Sequence, residues 1–150
     1  AAAKNQQPLV IVGNGPDEAR LRQLAGPLVT FRGNVDADAL RELYRQASAL
    51  ILPGEEDFGI APVEALACGC PVVALARGGA TETVDHGVTG VLVPELTAEA
   101  FAGALRQVAA LPSTRDDRHA RALRFSPAAF ERGFTDLVAR TLLTSQATAC

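Results

Sequence analysis

The sequence is poor in aromatic side chains, with no tryptophan and one tyrosine among 150 residues. That weakens any reading as a binder of single-stranded nucleic acid, which stacks bases on exposed rings. It also leaves no aromatic cleft for the sugar stacking that a glycosidase would use beside a carboxylate pair. Excess positive charge is missing too: 14 Lys and Arg against 17 Asp and Glu give a formal net charge of −3. No basic face is available for nucleic acid or an anionic membrane. No apolar run approaches the roughly 20 residues of a membrane span, and residues 1–8 carry no signal-peptide hydrophobic region. Cysteine is scarce and odd in number. Cys68 and Cys70 stand two apart with no second Cys or His pair, a poor zinc set. They read, with Cys150 apart from them, as small residues of a cytoplasmic protein with reduced thiols, packed at a helix end.

What the chain does have is apolar material, 48% hydrophobic against 21% charged residues, enough for the core of one domain. Short β-branched runs alternate with helical patterns. Strands are expected over 9–12, buried in a parallel sheet, and over 28–31, 49–52, 71–75 and 90–94. Helices are expected over 17–25, 37–47 with Leu40, Leu43 and Tyr44 as its buried stripe, 61–68, 82–84, 97–111, 115–124 and 127–143. Thr97 and Ser126 stand at N-cap positions, and residues 144–150 read as a frayed tail. The alternation predicts one α/β domain over 1–150, a doubly wound, mostly parallel sheet with helices on both faces. There is no internal repeat and no linker.

In such a sheet ligands bind beyond the carboxyl ends of the strands. The loops expected there are 13–16, 32–36, 53–62 and 76–81, three of them rich in glycine. The third is the most informative. It joins an apolar strand to a helix with Pro62 near its first position, where proline's missing donor costs nothing, and it carries Glu56 before Gly59 and Glu64 in the first turns. A strand, a close-approach glycine and a helix N-terminus suit an anionic ligand. The carboxylates either accept hydrogen bonds from ligand hydroxyls, or belong to a solvated acidic loop and a favourable helix start. The Gly78-Gly79 pair reads equally as a tight turn or a phosphate-cradling nest. A dinucleotide fingerprint at Gly13-Asn14-Gly15 fails, because Glu18 stands where a small residue is needed and Asp36 follows a turn instead of a strand. His86 reads as a loop or helix-end residue and His119 as part of a solvated face.

Taken together, Leu9-Val10-Ile11-Val12-Gly13-Asn14-Gly15-Pro16, Phe31-Arg32-Gly33-Asn34-Val35, Glu56-Asp57-Phe58-Gly59-Ile60-Ala61-Pro62-Val63-Glu64-Ala65, Gly78-Gly79-Ala80-Thr81-Glu82-Thr83-Val84 and Gly87-Val88-Thr89-Gly90 stand in one order. This pattern, over roughly residues 8–112, resembles the C-terminal, Rossmann-like half of retaining glycosyltransferases of the GT-B fold, of the group 1 or family 4 type. The resemblance implies a domain that binds a UDP-, GDP- or ADP-sugar donor without a metal or other cofactor. It implies that Glu56 contacts the donor sugar hydroxyls as the catalytic-site carboxylate. Phe58, Gly59 and Ile60 would offer backbone amides to the sugar and diphosphate, and Glu64 would hold the ribose. Arg32 to Val35 would lie near the nucleobase, and Gly13 to Gly15 near the phosphates. An N-terminal half would bind the acceptor and supply any peripheral membrane contact, and without it the chain is expected to be inactive; the alternative is a vestigial, non-catalytic domain. One departure stands out. Family members open this half with a strand and an Arg/Lys loop, whereas only Lys4 precedes the first strand here. The strand belongs in mid-sheet beside 9–12, so the chain is expected to be a fragment, or its sheet to close up or borrow a strand.

Overall fold

The computed structural model describes residues 5–147; Lys4 and Cys150 lie outside them. The elements alternate: β1 (Leu9–Val12), α1 (Glu18–Leu24), β2 (Val29–Gly33), α2 (Ala37–Gln46), β3 (Leu50–Leu52), α3 (Ile60–Ala67), β4 (Val72–Leu75), α4 (Ala80–Thr83) and β5 (Gly90–Val93). Three helices follow, α5 (Ala98–Val108), α6 (Arg115–Ala122) and α7 (Pro127–Ala147), with a 3₁₀ turn at Leu123–Phe125 between the last two. Every ladder between named strands is parallel, so this is an α/β fold whose parallel strands are flanked by helices.

The core is built on β4, whose four residues are all buried. Val72 and Ala74 face one way, into a cluster with Tyr44 of α2, Ala65 and Leu66 of α3, and Ala122 of α6. Val73 and Leu75 face the other way, against Phe101 and Ala104 of α5. That period-2 division explains the unbroken apolar run: a strand covered on both faces has no polar side to show.

The strands form two ladders, β1-β2 and β3-β4-β5, with no pairing between β1 and β3. The sheet has therefore not closed over the position of the strand that the resemblance leads one to expect. The expectation of a buried first strand is corrected. Val10 is 43% and Val12 39% exposed, and no residue from 5 to 43 is fully buried. With a single neighbouring strand, β1 has apolar side chains that lack the two-sided cover that β4 enjoys.

Helix starts follow their side-chain caps. The Asp36 carboxylate accepts from Ala39 N at 2.8 Å, and the Thr97 hydroxyl from Ala100 N at 3.1 Å. Ser126 accepts from Ala129 N at 3.3 Å, and Thr114 forms a capping box with Asp117 that the sequence reading passed over. Helix α7 runs past the expected boundary at 144. No glycine or proline interrupts the chain there, and α7 continues to Ala147; residues 148–150 lie outside the described part.

Leu66 is 1% exposed beneath β4. Leu66→Ala is expected to lower the unfolding free energy by about 2–5 kcal/mol, read from urea denaturation.

Candidate functional site

Within each ladder the strands run in one direction, so their carboxyl ends bring the loops that follow to one edge of that ladder. Gly13 N donates to Gly33 O at 2.7 Å, which ties the loop after β1 to the end of β2. Arg32 and Gly33 lie within β2, not in a loop as expected, because the β1 ladder continues to pair with Gly33. The Arg32 side chain is exposed and Val35 half-buried. Gly13 and Gly15 both occupy the turn between β1 and α1. In the second ladder, Gly79 N donates to Glu56 O at 2.7 Å, which ties the acidic loop to the turn after β4. Gly79 has no space for a side chain: a Cβ there would overlap the backbone of Phe58. The two loops are thus in backbone contact, which only glycine permits.

Helix α3 starts from Gly59, which is left-handed at φ 79° and ψ 69°. A residue with a Cβ would be strained in that conformation. Counting from this N-cap, Pro62 is the third helical residue, not the first, yet the reason proline fits is the same. The first four N–H groups of a helix have no partner within it, and proline occupies one of those places. The other three belong to Gly59, Ile60 and Ala61, which donate to no protein acceptor among the described residues. They lie on an open cleft of about 320 Å³ lined by Leu52 and the continuous run from Glu56 to Pro62. Phe58 is half-exposed there, its ring held edge-to-face on Phe125 with centroids 5.7 Å apart. Ile60 is 67% exposed. The Glu56 carboxylate forms no hydrogen bond or ion pair among the described residues, so the cleft lining includes one exposed acid and three residues whose amides have no protein acceptor, of which Gly59 is itself buried.

Glu64 lies one turn into α3, outside the cleft lining, and meets α2 instead: the Tyr44 hydroxyl donates to its Oε2 at 3.4 Å. Burial first, and then the negative charge of Glu64, push the Tyr44 hydroxyl from 10.0 up to about 12. The sequence marked Tyr44 only as part of a buried stripe. Nothing in its spacing shows that its polar tip reaches a residue twenty positions later. Arg77 was also passed over; it is an exposed cation directly after β4 that forms no ion pair among the described residues.

The remaining candidates are structural. Cys70 is fully buried, with its thiol pushed from 9.0 up to about 11 chiefly by that burial, and Cys68 is half-buried beside it. His86 Nδ1 accepts from Leu92 N at 3.0 Å. His119 is exposed as expected, and its Nδ1 lies 2.6 Å from Ala67 O at the end of α3. That helix end is held further by Arg115, which donates to Arg45 O and Cys68 O, both at 2.9 Å. Among the described residues no group of three or more His, Cys, Asp and Glu side chains is placed to hold a metal ion. Nor is any helix among them long and apolar enough to cross a membrane.

The profile of the family described as glycosyl transferases group 1 matches residues 1–124. The chain belongs to that family. The match takes in every loop named above and ends just before Phe125. A D-inositol 3-phosphate glycosyltransferase of Kribbella flavida is 42% identical over 112 residues, 73% of this chain and 25% of that protein. One from Geodermatophilus obscurus is 39% identical over 137 residues, 85% and 29% respectively. The chain therefore spans between a quarter and a third of the length of these curated relatives. Among solved structures, sucrose-phosphate synthase of Thermosynechococcus elongatus superposes with a TM-score of 0.78 at 30% identity, covering 95% of this chain and 41% of that one. Anabaena HepE, solved in complex with UDP-glucose, gives a TM-score of 0.70 at 25% identity, covering 90% and 41%. This group 1 domain thus shares its fold with glycosyltransferases over nearly its whole length.

Gly79→Ala is expected to force the loop at Phe58 outward and to cost about 1–3 kcal/mol, measured as a lower urea midpoint. The raised Tyr44 and Cys70 values also set an alkaline limit. Both groups hold their proton more tightly when folded, so the stability that they contribute is complete below pH 9, the ordinary thiol value. It then falls as pH rises, through about 11 for Cys70 and about 12 for Tyr44. Urea midpoints at pH 8 and 11 are expected to show the loss, and Tyr44→Phe to reduce it.

Proposed function

We propose that this domain binds the nucleotide-diphospho-sugar donor of a retaining glycosyl transfer, as the C-terminal half of a two-half GT-B enzyme. One observation carries the reading. Three backbone amides at the N-terminus of α3 are without protein partners, and their residues line one cleft together with Glu56. Unpartnered amides at a helix N-terminus suit a diphosphate, whose negative charge grows as the sugar leaves. A carboxylate at the same place suits sugar hydroxyls and the cation-like sugar that forms in the transition state. The UDP-glucose bound by the relative HepE supports the same class of ligand.

In this reading Glu56 contacts the donor sugar and acts at the catalytic site. Phe58, Gly59 and Ile60 place their amides on the sugar and diphosphate, and Gly13 and Gly15 lie along the phosphates. Glu64 accepts from the ribose hydroxyls, and Arg32 to Val35 border the nucleobase. Charge neutralisation falls to amides, helix dipole and exposed guanidinium groups, of which Arg77 stands nearest in sequence to the Gly78-Gly79 turn, so no metal is required. UDP-, GDP- and ADP-sugars are the donor classes to be distinguished. The acceptor belongs to the N-terminal half of the longer enzyme, and the 150 residues alone turn over no substrate at a measurable rate.

Calorimetric titration with UDP, GDP, ADP and their glucose conjugates tests this. One nucleotide series is expected to bind, and Glu56→Ala to weaken the sugar conjugate about tenfold relative to the free diphosphate, the effect of about one hydrogen bond to a charged group. Equal affinity of Glu56→Ala for both, or no binding in any series, would overturn the reading; the second result belongs to a vestigial domain.

A further inference from the structure

We infer that Tyr44 is a positioning residue that holds Glu64 for a cis-diol, and so makes the domain select ribonucleotide over deoxyribonucleotide diphosphates. The inference rests on the reading of Glu64 as the ribose carboxylate. Glu64 is an exposed glutamate on the helix surface, and such a side chain ordinarily exchanges between rotamers at an entropic cost to any ligand that must freeze it. Here it has one protein partner that limits this freedom. The Tyr44 hydroxyl reaches Oε2 from the neighbouring helix, which leaves Oε1 open for a ligand hydroxyl. In this contact the phenol hydroxyl donates and the carboxylate oxygen accepts. Its raised value keeps Tyr44 protonated, hence a donor, throughout the neutral range.

The donor is itself firmly placed. Tyr44 is 9% exposed and packs in the cluster around β4. The end of α2 beyond it is fixed to the end of α3 by the Arg115 guanidinium, which bridges Arg45 O and Cys68 O. Cys70 Sγ adds a contact to Ala47 O at 3.9 Å. Beyond Tyr44 and Glu64, helices α2 and α3 are therefore bonded to each other at their ends. Helix α2 also follows directly on the Arg32 to Val35 segment, so the same helix that carries this hydroxyl begins beside the residues assigned to the nucleobase. A base and a ribose are adjacent groups of one ligand, and α2 links the segment assigned to the base with the contact to Glu64 on α3.

The test uses the full chain and calorimetry with the nucleoside diphosphate that binds most tightly among UDP, GDP and ADP, together with its 2′-deoxy and 3′-deoxy forms. The wild type is expected to prefer the ribose form about tenfold or more, the loss of one hydrogen bond to a charged acceptor. Tyr44→Phe keeps the ring and its packing. It is expected to cut that preference about threefold or more while affinity for the deoxy forms stays within about twofold. In a Glu64→Ala background the same Tyr44→Phe change is expected to have no further effect on the preference. A Tyr44→Phe variant that keeps the full preference, or that weakens ribose and deoxyribose forms equally, would overturn the positioning role. A wild-type preference that survives Glu64→Ala would instead overturn the ribose assignment of Glu64, on which this inference stands.

Discussion

The burial of β4 on both faces is the constraint on which the rest depends. Four small apolar residues, Val72 to Leu75, are pressed between α3 on one side and α5 on the other. Nothing polar can enter that strand, so every group with chemistry is displaced to its carboxyl end or to the helices beside it. The strand's exit therefore meets the exit of β3, and the turn after one is bonded to the loop after the other through Gly79 and Glu56. The cleft is the direct product of two buried strands ending side by side.

Local backbone chemistry then turns that position into a site. The left-handed Gly59 turns the chain into α3 with its first amides free, and Pro62 occupies a place where a fourth donor would have had no partner. The Phe58 ring is anchored by Phe125 from the far end of the chain. Order in the loop thus comes from three directions: the Gly79 backbone, the helix start and one aromatic contact. None of these uses the Glu56 carboxylate, which forms no bond among the described residues.

Much of this was legible in the sequence, and the reasons differ by element. Parallel strands were visible because two-sided burial writes an unbroken apolar run, and two helix starts because Thr97 and Ser126 are capping side chains. The stretch around Glu56 and Gly59 could be found because a strand, a glycine and a helix start occur together. Burial of β1 was misjudged because an apolar run records what a strand could bury, not whether a second neighbour is present to bury it. Tyr44 was invisible as a polar participant because the reach of its hydroxyl to Glu64 depends on how two helices cross. The third-position Pro62 shifted the start of α3 by one residue, within the ordinary ambiguity of helix ends.

The division of the strands into two ladders also has a kinetic meaning. The β1-β2 ladder shares no strand hydrogen bond with β3-β4-β5, so opening one does not require opening the other. Cooperative units of a protein are set by such shared bonds and shared core. The amides of β1 and β2 belong to a less protected unit than those of β4, whose exchange with solvent requires the whole core to come apart. The stretch that carries Gly13 and Arg32 is consequently expected to exchange its amides before the stretch that carries Glu56 and Gly59.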